Sequence, residues 1–172
     1  MTQQFHKPAS IEEALALKES HGEAITWFAG GAFLNHIDCK DHFNQFICLE
    51  QLQLNTIKNE DNQLIIGALA NLQDIVDNEI TPNPLRHAIR DAAVRTLRNL
   101  TTIGGDVAMG GMITKLTPCL IALKSTIVLG NNQEMSLEDY LKEDKKDLIV
   151  TFKIPSGSRI TEVLKVSHQA NS

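Results

Sequence analysis

The spacing of apolar residues over the first third of the chain predicts a strand, a helix and two further strands. A helix is expected between Ser10, a good N-cap residue, and Gly22, a residue that commonly ends helices. The apolar run 24–29 predicts a buried strand after this helix, and 46–49 predicts another. Together these segments indicate a small βαβ-type unit.

The pattern changes in the remainder of the chain. Alternating residues at 52–57 and the apolar run 63–68, separated by Asp61 and Asn62, predict a hairpin. Apolar positions at helical spacing over 85–97 predict one amphipathic helix. The other expected elements are short helices at 72–76, at 118–123 and after Ser136, and strands at 126–129, 148–154 and 162–166.

Two glycine pairs interrupt this pattern. Gly30-Gly31 follows the strand predicted at 24–29, and Gly104-Gly105 follows the predicted amphipathic helix. We interpret both as turns in which consecutive backbone N–H groups are open to an anionic ligand. Although the GxGxxG spacing is absent, two such turns indicate an extended, phosphate-bearing cofactor held from two sides.

Composition narrows the class of protein. The 172 residues carry 16 basic and 21 acidic side chains, a net charge of -5, without a Lys/Arg run. This balance argues against a nucleic-acid or anionic membrane surface, so that an anionic ligand must be held locally. The three cysteines lack metal-site spacing and favour reduced thiols, and the six histidines form no metal-ligand pattern. With a polar amino terminus and without a long apolar run, the chain is expected to be soluble and cytoplasmic.

Six short motifs in order resemble those of a known family. They are 5–8 with 13–15, 29–31 with Leu34, 65–68, 98–105, Pro118 with Leu120 and 122–123, and 154–155. In this order the whole chain resembles the FAD-binding (medium) subunits of the molybdenum hydroxylases, the xanthine dehydrogenase and carbon monoxide dehydrogenase group, and particularly the shorter xanthine-dehydrogenase-like FAD-binding proteins of enteric bacteria. The resemblance implies an α/β (α+β) fold of the FAD-binding PCMH or vanillyl-alcohol-oxidase-like type, with a small lobe over 1–57 and a larger lobe over 58–172.

The resemblance also implies which residues contact the cofactor. Both glycine turns would bind the pyrophosphate and ribityl region of FAD, and Lys165 would lie near the isoalloxazine ring, where a cation stabilises the reduced, anionic flavin. The implied contacts are Phe28, Ala29, Gly30, Gly31, Ala32, Phe33, Leu34, Thr102, Ile103, Gly104, Gly105, Asp106, Thr114, Lys115, Leu148 and Lys165. Neither a catalytic side chain nor a metal ligand is expected in this chain.

The sequence departs from the family pattern at several positions. Ala32 stands where a hydroxyl residue is common, and Asp106 stands where Asn is common and adds negative charge unless it is turned outward. Lys115 replaces an aspartate expected near the ribityl group. Relatives also continue after the counterpart of Lys165 for roughly 80 to 100 residues, the size of a small domain. The sequence therefore indicates a form without the family's carboxy-terminal domain.

The function implied by the resemblance is electron transfer within an oxidoreductase. A large molybdopterin subunit would hydroxylate the substrate, a [2Fe–2S] subunit would pass on the electrons, and FAD on this chain would deliver them to an acceptor such as NAD. The alternative is a truncated or degenerate paralogue without flavin, inactive alone, which serves as a structural or assembly module of such a complex. A third interpretation, a stand-alone flavin reductase or oxidase, lacks a separate substrate pocket in the sequence.

Overall fold

The computed structural model of the protein describes residues 3–34, 43–110, 115–143 and 147–157. The strands are β1 Gln4–His6, β2 Ile25–Phe28, β3 Gln45–Cys48, β4 Ile57–Glu60, β5 Gln63–Gly67, β6 Thr126–Leu129, β7 Glu134–Ser136 and β8 Ile149–Pro155. The helices are α1 Ile11–His21, α2 Leu72–Asp77, α3 Asn83–Ala92, α4 Arg95–Leu100, α5 Ile103–Ala108, α6 Leu116–Ala122 and α7 Leu137–Lys142. Short 3-10 turns follow α1 and β3, at Gly22–Ala24 and Glu50–Leu52.

The first sheet has three parallel strands in the order β1-β3-β2. Helix α1 connects β1 to β2, as the sequence predicts. The Ser10 hydroxyl accepts a hydrogen bond from the Glu13 N–H at 3.2 Å and caps the helix, and Gly22 ends it with φ 55°. A small hydrophobic core packs against this sheet and consists of Ala14, Ile25, Ile47, Leu49 and Leu148. Since Leu148 precedes β8, this core also ties the two sheets together.

The second sheet has five strands in the order β4-β5-β8-β6-β7, and every neighbouring pair is antiparallel. Its inward residues, among them Leu64, Ile66 and Phe152, pack with helices α2, α3, α5, α6 and α7 in the larger core. The predicted hairpin turn is confirmed, because Asp61 and Asn62 both have positive φ, 48° and 61°. Such a pair matches the twist of the strands that it joins.

Two predicted elements are wrong in their extent. The first hairpin strand is β4 rather than 52–57, because Glu50–Leu52 forms a 3-10 turn and Gln53 is left-handed, with φ 52°. The helix predicted over 85–97 is two helices, α3 and α4, separated where Ala93 is extended, with φ −145° and ψ 143°. The break exposes the Ala93 carbonyl to the Arg98 guanidinium, whose Nη1 lies 2.5 Å from it.

The second glycine pair also differs from the prediction, because it lies in the first turn of α5 rather than in an open turn. Strand β7 was not predicted, and the strand expected at 162–166 lies outside the described residues. Across the part of the chain that the structure describes, none of the helices has the length and apolar character required to cross a bilayer.

Candidate functional site

A cavity of about 360 Å³ lies between the two sheets. One wall comes from the first sheet and its following turn, with Lys18, Thr26, Trp27 and residues 29–34. The facing wall comes from α4, α5 and the segment before β8, including Leu100, Thr102 and 147–149. This volume falls within the range of about 300–1,000 Å³ that is typical of small-molecule sites.

The first glycine pair shapes the wall where β2 ends. Gly31 has φ 74°, a left-handed conformation that glycine adopts without strain. Gly30 packs against the backbone at the end of α4, and a Cβ atom on Gly30 would lie 1.7 Å from the carbonyl oxygen of Leu100. Among the hydrogen bonds of the described residues, none is donated by the backbone N–H groups of residues 30–33. These amides are therefore available to an anionic ligand in the cavity.

The second glycine pair is arranged differently, because the backbone N–H groups at the start of α5 already have acceptors within the chain. Ile103 donates to the Ala70 carbonyl at 3.0 Å, Gly104 to the Ala68 carbonyl at 2.9 Å, Gly105 to Thr102 Oγ1 at 3.1 Å, and Asp106 to the Thr102 carbonyl at 3.0 Å. The interpretation of this pair as a second set of open amides does not fit this geometry.

Close packing explains the glycine at position 104. A Cβ atom there would lie 2.7 Å from the Ala68 Cβ and 2.8 Å from the Ala68 carbonyl oxygen. The pair thus allows α5 to approach the end of β5 and places Thr102 and Gly105 in the cavity wall.

The structure brings most of the expected cofactor contacts together around the cavity. Those in its wall are Ala29, Gly30, Gly31, Ala32, Phe33, Leu34, Thr102, Gly104, Gly105, Asp106 and Leu148. They come from three separate parts of the sequence, so that the fold alone makes them neighbours.

Three expected contacts are not in the cavity wall. Ile103 is fully buried in the larger core. Phe28 packs edge-on against Phe46, with ring centroids 5.7 Å apart. Lys115 Nζ lies 3.5 Å from the Asp91 carboxylate. The remaining two, Thr114 and Lys165, lie outside the described residues.

Charge in the cavity wall is mixed. Among the described lining residues the charged side chains are Lys18, Asp106 and Asp147. Asp106 is only 4% exposed, so it is turned inward rather than outward. Burial lowers the pKa of the Lys18 ammonium, although the charge of nearby Glu23 opposes this shift. Two of these three side-chain charges are negative and would repel a phosphate. The backbone N–H groups of the first glycine turn are therefore better suited to bind a phosphate than the charged side chains are.

Sequence reasoning missed part of the wall. The lining residues that it did not assign to the site are Lys18, Thr26, Leu49, Ala68, Leu69, Ala92, Leu97, Leu100, Thr101, Ala108, Met109, Asp147 and Ile149. Trp27 in β2 also lines the cavity, and its buried indole N–H has no acceptor among the described residues. The sequence around Lys18 carries no signal for this site, because Lys18 reaches the cavity through tertiary contacts with Gly22 and Ile25.

The chain is similar to known proteins along most of its length. Residues 1–157 match the family described as the FAD binding domain in molybdopterin dehydrogenase. The uncharacterised protein YgfM of Escherichia coli K12 is 35% identical over 167 residues, which cover 97% of this chain and 64% of YgfM. The glyceraldehyde dehydrogenase medium chain of Sulfolobus acidocaldarius is 28% identical over 165 residues, which cover 88% of this chain and 59% of that protein.

A solved structure shows the same fold. Carbon monoxide dehydrogenase from Hydrogenophaga pseudoflava matches with a TM-score of 0.80 and 23% identity, over 92% of this chain and 60% of the matched chain. This chain thus spans about 60% of the length of the proteins to which it is similar.

Proposed function

Because the chain belongs to the family of FAD-binding domains of molybdopterin dehydrogenases, we propose that it binds FAD in the cavity between its two sheets and transfers electrons within an oxidoreductase. The observation that supports this proposal most directly is the turn after β2. There the backbone N–H groups of residues 30–33 have no acceptor among the described residues, and they line a cavity of ligand size.

The residues present fit the cofactor in two further respects. Gly30 and Gly31 let the backbone approach a phosphate without an intervening side chain. Apolar residues, including Leu49, Leu100 and Leu148, supply surfaces for the aromatic parts of the molecule. We assign binding of the pyrophosphate to the first glycine turn, whereas α5 supports the opposite wall.

The chain's contribution to the chemistry is binding and orientation. When bound, FAD supplies the capacity to accept and release electrons. The glycine turn fixes the phosphates, and Thr102 and Asp106 limit the space on the facing side of the cavity. The proposal assigns no acid, base or nucleophile in this chain to the organic substrate. Thr114 and Lys165 stay proposed contacts that lie outside the described residues.

We further propose that the partners are a large molybdopterin subunit and a [2Fe–2S] subunit, with NAD as one acceptor. The similarity to a medium chain of a glyceraldehyde dehydrogenase supports a multi-subunit assembly. Electrons would enter the chain from the iron–sulfur partner, and the substrate would be oxidised on the molybdopterin subunit. The division into lobes at 1–57 and 58–172 is part of the same proposal.

The test is retention of flavin by the purified chain. FAD is added, the excess is removed by gel filtration, and absorption is measured near ~450 nm, where bound oxidised flavin absorbs. We expect the chain to retain flavin and a Gly31→Val variant to lose it, because a branched side chain at φ 74° is strained and covers the adjacent amides. Gly157→Ala is the control, since a Cβ atom there meets nothing within 4 Å. A wild-type chain that never retains flavin contradicts the proposal.

Two observations favour the alternative of a flavin-free assembly module. The amides at the start of α5 are used inside the chain, and Asp106 adds negative charge to the wall. Under this alternative the chain remains colourless after incubation with FAD and still co-purifies with a molybdopterin subunit. The same gel-filtration experiment on the co-expressed complex therefore separates the two functions.

A further inference from the structure

Lys18 occupies a defined position in the cavity wall. Its Nζ donates to the carbonyl oxygens of Gly22 at 2.8 Å and of Ile25 at 2.6 Å, which links the end of α1 to the first residue of β2. An ammonium group has three N–H donors and no acceptor. These two carbonyls are the hydrogen-bond acceptors of Lys18 among the described residues, so that one of its three N–H groups has no acceptor there. Within the described part of the chain, Lys18 is the only cationic side chain that lines the cavity.

The ammonium lies beside the start of β2, which we call the Lys18 end of the cavity wall. Ile25, whose carbonyl holds it, is five residues before Gly30, which corresponds to about 16 Å of extended strand at ~3.3 Å per residue. Thr26 and Trp27 line the cavity along this stretch. On the other side of the glycine turn, Gly30 touches the backbone of Leu100. The cavity wall therefore includes Lys18 near the start of β2 and, beyond the end of β2, the glycine turn together with the end of α4, which we call the α4 end.

The two ends differ in polarity and access. At the α4 end Leu97 and Leu100 are 39% and 55% exposed. The isoalloxazine ring of FAD must be accessible to exchange electrons with other molecules. The exposed apolar side chains at the α4 end suit this ring. The Lys18 end offers a cationic donor that is half-buried. The ring nitrogens and ribose oxygens of adenosine are acceptors that match such a donor.

On the basis of the FAD-binding role above, we propose that Lys18 and the first residues of β2 form a subsite for the adenosine half of the dinucleotide, and that Lys18 makes the cavity select FAD over FMN. FMN has the flavin and one phosphate but lacks adenosine. It reaches the glycine turn and the α4 end without extending to Lys18. The ammonium therefore contributes to the binding of FAD and leaves the binding of FMN unchanged.

The test compares both flavins on one variant. Lys18→Met keeps the length of the side chain and removes the ammonium, and dissociation constants are measured by quenching of flavin fluorescence. We expect FAD to bind about 10-fold more weakly or worse, which corresponds to the loss of one charge-assisted hydrogen bond. FMN affinity should not change. Lys58→Met, on β4 and paired with Glu60, is the matched control and should alter neither constant.

The outcomes separate a recognition role from a structural one. If FAD and FMN weaken together in Lys18→Met, or if FAD is unaffected, the subsite is overturned while the FAD-binding function stands. If the wild-type chain binds no FAD, the proposed function itself fails. Competition on the wild-type chain gives a measurement that is independent of how the variant folds. AMP should displace FAD, and an absence of competition by AMP overturns the subsite.

Discussion

The Cα atom of Gly30 lies against the backbone carbonyl of Leu100, so closely that a Cβ atom on Gly30 would be 1.7 Å from the Leu100 oxygen and 2.9 Å from its carbonyl carbon. Gly30 lies in the turn that follows β2, and Leu100 ends α4, so this contact joins the two walls of the cavity. Atoms of the backbone cannot move aside as the end of a flexible side chain can. The absence of a side chain at position 30 is therefore a requirement of the fold as well as of the ligand.

Gly30→Ala should destabilise the protein. Relief of this overlap requires the turn and α4 to separate, and overpacking of this kind costs about 1–3 kcal/mol. We expect the midpoint of thermal unfolding to fall by several degrees, measured by circular dichroism without flavin. Gly157→Ala, where the new Cβ meets nothing within 4 Å, should unfold at the wild-type temperature. Equal midpoints for all three proteins would show that the contact is not tight in solution.

Local sequence signals were sufficient where a single residue decides the conformation. Ser10 caps α1, Gly22 ends it, and the turn at Asp61 and Asn62 closes the hairpin. Each of these features depends on a side chain and its nearest backbone neighbours. For the same reason the first glycine turn could be placed directly after its strand, where the structure has it.

The features that were missed depend on tertiary contacts. The break between α3 and α4 is accompanied by Arg98, which binds the freed Ala93 carbonyl and also the buried Gln73 side chain at 2.8 Å. The helical start at Gly104 depends on its packing against Ala68. Lys18 enters the cavity wall because its ammonium binds carbonyls that come later in the chain. Apolar periodicity contains no information on such pairings.

Thr102→Ala should loosen the wall formed by α5. The Thr102 hydroxyl accepts the Gly105 N–H at 3.1 Å as the N-cap of this helix, and loss of such a cap costs about 0.5–2 kcal/mol. Thr102→Ser keeps the hydroxyl and should retain most of this stability. Chemical denaturation with urea gives the free energy of unfolding of each variant. A serine variant as unstable as the alanine variant would assign the loss to the missing methyl group instead of to the cap.

Cys119 should be an unreactive thiol in the folded protein. Only 4% of the residue is exposed. This burial raises the pKa of the thiol to about 11, from an ordinary value of 9.0. At pH 8 only about one thiol in a thousand is then ionised, and the thiolate is the reactive form. In a variant with Cys39→Ala and Cys48→Ala, the remaining thiol should react slowly with a disulfide reagent and rapidly after unfolding in guanidinium. Native labelling at the unfolded rate contradicts this burial.

The ion pair between Glu134 on β7 and Lys153 on β8 should make part of the stability depend on pH. The hydrogen bond from Lys153 is the largest cause that lowers the pKa of Glu134 below its ordinary value of 4.5, and Thr126 Oγ1 adds a hydrogen bond at 3.2 Å. Because the carboxylate is favoured in the folded state, its contribution is present above pH 4.5 and is lost as the pH falls through the lowered pKa.

Glu134→Gln should therefore lower the unfolding midpoint at pH 7 by a small amount, as is usual for a partly exposed pair. The difference from wild type should shrink steadily below pH 4.5 and disappear once Glu134 is protonated in both states. Thermal unfolding at a series of pH values measures this difference directly. Glu19→Gln, an exposed position on α1, is the control and should follow wild type at every pH. A difference between Glu134→Gln and wild type that is independent of pH would mean that shape, and not charge, accounts for the effect.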